Sequence, residues 1–124
     1  MTQPDAYLDA RVLTASPQQL HLMVVNGALR HCVAAEDAIN RGDREAKAVA
    51  LEEAQKHVAE LIGGLSDGDD DFLDNLRALF AYAMRQLLLA DARDDATAVT
   101  NAALVLERHR DTWAEVIEAA ATAS

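Results

Sequence analysis

The fold is decided by residues 16–43, which read SPQQLHLMVVNGALRHCVAAEDAINRGD. Ser16 can accept a hydrogen bond from a first-turn N–H, the glutamine three residues later completes a capping box, and Pro17 suits the first helical position. The helix that begins at Pro17 can continue to Gly42, because glycine readily takes the left-handed conformation that ends helices. Asp43 is then a natural N-cap. The stretch predicts a long helix, a tight turn and the start of a second helix.

Three helices follow this turn, each marked by apolar residues at helical spacing. The second weakens at Gly63-Gly64, and the acidic loop after it suits the positive end of the third helix. The third ends between Asp91 and Asp95, where Asp94 or Asp95 can cap the fourth. The apolar positions that define these helices are Leu51, Ala54, Val58, Leu61, Ile62 and Leu65 in the second; Phe72, Leu73, Leu76, Leu79, Phe80, Ala83, Leu87 and Ala90 in the third; and Val99, Ala102, Ala103, Leu106, Trp113, Val116 and Ile117 in the fourth.

We predict an all-α fold, an antiparallel up-down-up-down four-helix bundle over residues 16–124. Helices of about 20 residues joined by short loops pack as antiparallel neighbours. Residues 1–15 are expected to form a short N-terminal arm or cap, because a segment of this length is not a stable helix by itself. Its apolar side is expected to lie against the bundle and consists of Tyr7, Leu8, Val12 and Leu13.

The first helix carries two apolar faces, about a third of a turn apart. One explanation is that the helix is central and has neighbours on both sides. The other is that the second face accepts an apolar segment, either the protein's own arm or a partner helix. The two explanations are compatible if the arm is a removable cover of the second face. The first face consists of Leu20, Met23, Val24, Gly27, His31, Ala34 and Ala38, and the second of Leu22, Val25, Leu29, Cys32, Val33 and Ile39.

Charge and composition narrow the classes of function. The 124 residues are enough for one hydrophobic core, and 4% aromatic content requires a core of small and aliphatic side chains. A formal charge of -10 without any basic cluster argues against binding to nucleic acid. No stretch is long and apolar enough for membrane insertion. The N-terminus lacks a signal-peptide pattern and Cys32 has no disulfide partner, which predicts a cytoplasmic location.

The histidines, acidic residues and cysteine do not form the spacing patterns of known metal or catalytic sites. A dinuclear metal centre needs Glu-x-x-His pairs on facing helices, which do not occur, and His57 and Glu60 are expected to be a solvated pair. The acidic run after Asp67 lacks the glycine and glutamate of a calcium loop. Cys32 on an apolar face is expected to be an inert packed thiol. We therefore expect no catalytic residues, no metal and no cofactor.

The opening of the chain closely resembles the FliS family of flagellar secretion chaperones, and the resemblance covers about residues 7–113. It begins with Tyr7, Val12-Leu13-Thr14-Ala15-Ser16-Pro17, Leu20, Leu22-Met23 and Gly27-Ala28-Leu29-Arg30. It continues with Gly42-Asp43, Lys47, Ala54-Gln55, Glu60-Leu61, Asn75-Leu76, Leu79, Tyr82, Met84-Arg85, Leu87, Ala90 and Trp113. The Thr-Ala-Ser-Pro opening and the Gly-Ala-Leu-Arg segment are its most specific parts.

This resemblance implies a four-helix export chaperone and no enzyme. Members of the family hold the C-terminal segment of flagellin in the cytoplasm, prevent its premature polymerisation and deliver it to the flagellar type III export gate. The arm would be a cover that competes with flagellin, Leu20, Met23, Val24 and Gly27 would form one wall of the binding groove, and Tyr82 and Met84 would add adaptable contacts.

Two alternatives of other classes remain open at this stage. The first is a histidine phosphotransfer bundle for signalling, in which His57 would accept the phosphate. The second is a structural helical homodimer that buries the spare face of the first helix against a second copy. Dimerisation is also compatible with a chaperone.

Overall fold

The computed structural model describes residues 15–68 and 70–123 of the chain. These residues form four helices, and no strand occurs in either range. The all-α four-helix fold is therefore confirmed. The helices are α1 (Pro17–Arg41), α2 (Arg44–Gly63), α3 (Asp71–Arg93) and α4 (Ala96–Ala123).

The helix boundaries are determined by local capping. Ser16 and Gln19 form the predicted capping box, in which each side chain accepts a hydrogen bond from the other residue's backbone N–H. Asp43 and Asp70 cap the starts of α2 and α3 in the same way. The Asp95 carboxylate accepts hydrogen bonds from two backbone N–H groups in the first turn of α4. Each helix thus begins within one residue of a side chain that satisfies its free N–H groups.

Each helix packs against two others, so that the four helices surround one core. α1 packs on α2 and α4, and α3 packs on the same two helices, which places α1 and α3 diagonally across the bundle. The Trp113 indole N–H in the second half of α4 donates to the Gln18 carbonyl at the start of α1. The Lys47 ammonium at the start of α2 pairs with the Asp94 carboxylate just after α3. These contacts agree with the predicted antiparallel order.

The core consists mainly of small and aliphatic side chains, as the low aromatic content predicts. Phe80 is the largest of the fully buried side chains, and it lies near the middle of α3. Other fully buried residues are Val25 and Cys32 of α1, Leu51 and Val58 of α2, Leu87 of α3, and Val99 and Leu106 of α4. Many alanines between them allow the helices to approach closely.

Phe72 departs from the predicted core face of α3. Its position fits the apolar stripe of that helix, but its side chain is 58% exposed. Leu76, one turn further on, is the first buried residue of α3. Periodicity reports the face on which a residue lies and not how far the core extends along the helix. Phe72 lies in the first turn, beyond the last layer of the core.

The two apolar faces of α1 point towards two different neighbours. On the first face, Gly27 and His31 lie against His57 of α2. On the second face, Val25 and Cys32 are buried in the core, and Leu29 borders a cleft next to α4. The structure therefore favours the explanation of a central helix with neighbours on both sides.

Candidate functional site

The residues expected to contact a partner divide into three groups in the structure. Tyr7, Leu8, Val12 and Leu13 lie outside the described residues, so their predicted role as a cover stays a prediction. The α1 residues and the α3 residues are described, and they lie on diagonal helices. A single partner that contacts both groups has to extend around the bundle.

Leu20 and Val24 of α1 line a depression of about 240 Å³, which we call the α1–α2 depression. It lies where α1 begins and α2 ends. Both side chains are half-buried, so part of each is available to a ligand. The lining consists of Pro17, Leu20, His21 and Val24 of α1, with Glu60, Leu61 and Gly64 at the end of α2.

Gly27 allows a close approach, but the group that approaches is the chain's own His57. A Cβ atom at Gly27 would lie 2.6 Å from both Cδ2 and Nε2 of that imidazole, closer than side chains tolerate. Gly27 is buried, so it belongs to the interface between α1 and α2. Met23 is half-buried on the same helix. Of the four residues predicted to form the groove wall, Leu20 and Val24 line the α1–α2 depression, and the role of the wall in binding stays a prediction.

Tyr82 and Met84 lie on different flanks of α3. Residues two positions apart on a helix project in directions about 200° apart around its axis. Met84 packs against the core and Tyr82 is half-buried. On the flank that carries Tyr82, one turn further on, the Gln86 carboxamide accepts a hydrogen bond from Asn101 of α4. The two residues therefore contribute to two surfaces.

A second apolar opening lies on the surface between α1 and α4. This α1–α4 cleft has a volume of about 410 Å³, and Val33 at its edge is 70% exposed. Two arginines, Arg30 and Arg110, border it in a protein with a formal charge of -10. The remaining lining residues are Asn26 and Leu29 of α1 with Ala103 and Glu107 of α4. A partner segment with an apolar side and carboxylates beside it would match this lining.

An aromatic and histidine cluster joins the start of α1 to the middle of α4. Nε2 of His21 lies 2.7 Å from Nε2 of His109, and the His21 and Trp113 rings have centroids 4.6 Å apart. Phe80 of α3 contacts both imidazoles. Burial lowers the pKa of His109 to about 4 and also lowers the pKa of His21. Both rings are therefore neutral at pH 7, as one donor and one acceptor.

Sequence reasoning missed this cluster because its members come from three helices. The spacing of His109 and Trp113, four residues apart, places them on one face of α4. Nothing in the spacing identifies His21 as their partner, since that depends on how α1 and α4 are aligned. Burial also raises the pKa of the Cys32 thiol to about 12, in agreement with the predicted inert thiol.

A second histidine cluster lies between α1 and α2. One nitrogen from each of His31 and His57 and one oxygen of Glu53 lie within 4.8 Å of one another. The spacing along α2 pairs His57 with Glu60 instead, because sequence alone does not bring His31 of α1 close to it. Within residues 15–68 and 70–123, these three side chains are the group whose ligand atoms lie close enough together to hold a metal ion.

Comparison with known proteins identifies the family to which the chain is similar. The family described as flagellar protein FliS matches residues 1–120. The flagellar secretion chaperone FliS of Escherichia coli is 30% identical over 110 residues, 87% of this chain and 81% of that protein. Its counterpart from Salmonella typhimurium is 32% identical over 114 residues, 88% of this chain and 82% of that protein. The chaperone from Bacillus subtilis is 30% identical over 113 residues, 91% and 84% respectively.

The chain belongs to the FliS family.

FliS proteins are flagellar secretion chaperones and not enzymes, which confirms the expectation that the chain has no catalytic activity. The family assignment favours a flagellar export chaperone over the phosphotransfer alternative. Among the helices that the structure describes, none combines the length and the apolar character that a membrane crossing requires. The function of the chain therefore depends on what its surfaces bind.

Proposed function

We propose that this FliS protein binds the C-terminal segment of flagellin in the cytoplasm, prevents its premature polymerisation and assists its delivery to the flagellar export gate. The observation that carries the proposal is the family match over residues 1–120, which takes in the arm and nearly the whole bundle. The apolar openings on two sides of α1 support it.

Holding a client without ATP works by mass action. A flagellin segment that is disordered before assembly exposes apolar side chains, and a chaperone that buries them lowers the concentration of free ends. Each Å² of apolar surface removed from water contributes about 25 cal/mol, less the cost of ordering the segment. The α1–α2 depression and the α1–α4 cleft supply apolar surface to an extended or helical client.

The separation of the candidate surfaces favours a client that wraps around the bundle. Leu20 and Val24 lie on α1, while Tyr82 and Met84 lie on the diagonal helix α3. Met23 and Met84 are flexible side chains that adapt to different partners. A disordered segment can follow such a path because it orders only on binding, whereas a rigid globular partner would reach one surface.

The arm is well placed to compete with the client for the α1–α2 depression. It leads into Ala15, two residues before Pro17, which lines this depression. Chain connectivity therefore keeps the arm at a high effective concentration beside the opening. Tyr7, Leu8, Val12 and Leu13 would cover apolar surface until the client displaces them.

Calorimetry of the full chain with a peptide that covers the C-terminal segment of flagellin from the same organism tests the proposal. We expect saturable binding with a negative heat-capacity change, because apolar surface is buried. Leu20→Ser should weaken binding by about tenfold or more, as expected for a residue that anchors the client. Tyr7→Ala should change the affinity, upwards if Tyr7 acts only as a cover.

Val49→Ser is the matched control for Leu20→Ser. Val49 is 63% exposed and lies near the start of α2, at the other end of that helix from the depression. This variant should bind the peptide like the unchanged protein. If no saturable complex forms with the folded chain, or if both serine variants bind equally well, the proposed site is wrong.

A further inference from the structure

Two imidazoles and one carboxylate from neighbouring helices converge on the outside of the α1–α2 pair. His31 comes from α1, whereas Glu53 and His57 lie four residues apart on one face of α2. The two imidazole centroids are 5.1 Å apart. All three side chains are partly buried, so their positions are restricted while water and ions can still reach them.

Hydrogen bonding and packing orient His57 as they do metal-binding histidines. Its Nδ1–H donates to the backbone carbonyl of Glu53 at 2.7 Å, which leaves the lone pair on Nε2. The Nε2 edge of the ring lies against Gly27, where a side chain would leave no room for it. His31 follows Gly27 by four residues and hence by about one turn on the same face of α1. The free nitrogen of His57 thus points to the helix that carries His31.

We propose that His31, Glu53 and His57 bind a divalent transition-metal ion, Zn²⁺ or one of similar ligand preference, as a bridge between α1 and α2. Two imidazoles and one carboxylate are a ligand set that zinc accepts, with water at the remaining position. The bridge does not depend on flagellin binding. It joins two helices that only a two-residue turn otherwise connects in sequence.

The distances permit such a bridge after small side-chain movements. Ligand atoms around a tetrahedral zinc ion are about 3.3–3.6 Å apart, since each bond is about 2.0–2.2 Å long. The three candidate atoms already lie within 4.8 Å of one another. The Glu53 side chain is 38% exposed and can rotate. This rotation, with small tilts of the two rings, brings the three atoms to the separation that zinc requires.

Some of the surrounding charged groups favour the binding of a cation at this site, and others oppose it. Burial lowers the pKa of His31, with smaller contributions from His57 and Arg30 in the same direction and from Glu53 in the opposite one. Lys56 lies 3.5 Å from Glu53 and competes with a cation for that carboxylate. The formal charge of -10 favours cations over the whole molecule.

Zinc titration of the full chain, followed by calorimetry and by thermal unfolding, tests the proposal. We expect one zinc ion per chain and a melting temperature that rises with zinc concentration, because the folded protein alone presents the three ligands together. His31→Gln and Glu53→Gln should each weaken binding by about tenfold or more, at least as much as the loss of a supporting hydrogen bond to a ligand does.

Glu52→Gln is the matched control. Glu52 also pairs with Lys56, at 3.4 Å, but lies outside the cluster. This variant should bind zinc within about twofold of the unchanged protein, since it removes the same charge and no ligand. Circular dichroism shows whether each variant is folded, and Glu53→Gln, which changes a partly exposed side chain without changing its size, serves as the second ligand variant. The proposal is overturned if the folded chain binds no zinc, or if Glu52→Gln and Glu53→Gln bind it equally.

Discussion

The absence of a side chain at Gly27 determines how closely His57 of α2 approaches α1. Glycine inside a helix costs about 1 kcal/mol relative to alanine, so α1 would be more stable by itself with alanine at this position. In the folded chain, a Cβ atom there would meet the His57 ring at 2.6 Å. The glycine therefore belongs to the packing of α1 on α2 and brings His57 close to His31.

A double-mutant cycle between Gly27 and His57 tests this account. In the unchanged protein, Gly27→Ala should give no gain in the free energy of unfolding, because the new methyl group displaces the imidazole from its hydrogen bond with Glu53. In a His57→Ala background, the same change should stabilise the protein by about 1 kcal/mol through helix propensity alone. Urea denaturation measures both effects. Equal effects in the two backgrounds would mean that Gly27 and His57 do not interact.

At the scale of the helices, periodicity and burial agree closely along α3. Its fully buried residues Phe80, Ala83, Leu87 and Ala90 recur at intervals of three or four. The adjacent Leu88 points away from this stripe and is 51% exposed. This stripe faces the core between α2 and α4, and the opposite side of α3, which carries Leu88, remains available for other contacts.

Leu87→Ala and Leu88→Ala form a matched pair on this helix. Leu87→Ala should lower the free energy of unfolding by about 2–5 kcal/mol, because it leaves a cavity in the core. Leu88→Ala should lower it by less than about 0.5 kcal/mol, as surface substitutions usually do. Chemical denaturation of the two variants in parallel provides the comparison. Similar losses for both would show that the burial of α3 has been assigned to the wrong face.

At the scale of the whole molecule, the contact between α1 and α4 closes the bundle. α4 is the last helix and α1 the first described one, so the chain itself does not hold them together. His21, His109 and Trp113 join them near the start of α1, where the α1–α2 depression also lies. Loss of this cluster would weaken the contact between α1 and α4 at this end of the bundle.

The stability of the bundle should therefore depend on pH. Both imidazoles have lowered pKa values in the folded protein, that of His109 to about 4, whereas an unfolded histidine titrates near 6.5. The unfolded chain thus binds more protons below pH 6.5, so this stability is present above pH 6.5 and is lost as the pH falls towards 4. Thermal unfolding at a series of pH values should show the melting temperature falling over this range.

A His109→Gln variant provides the control for the pH experiment, because it lacks the group with the lowest pKa. It should start from a lower melting temperature at pH 7 and lose less on acidification than the unchanged protein. Asp43 and Asp94, whose pKa values are lowered by hydrogen bonding, lose their stabilising contributions as the pH falls below about 4 in both proteins. Parallel curves for the two proteins above pH 4 would contradict the assignment to His109.

The features that could be predicted from the sequence are those that depend on residues close together in the chain. Ser16, Asp43 and Asp95 cap helices through hydrogen bonds to residues two or three positions away. Apolar spacing of three and four residues indicates the buried stripe of each helix. The resemblance to FliS rests on residue identities along the chain, and the family match supports it without any coordinates.

Tertiary structure alone decided which helices are neighbours and how they are aligned along their axes. The pairing of His21 with His109 spans 88 positions, and the proximity of His31 to His57 brings α1 and α2 together. It also places Gly27, a predicted groove residue, in a buried position against His57. These pairings depend on the packing of whole side-chain layers, and a shift of one turn between two helices would replace them all. Local spacing carries no information about that shift.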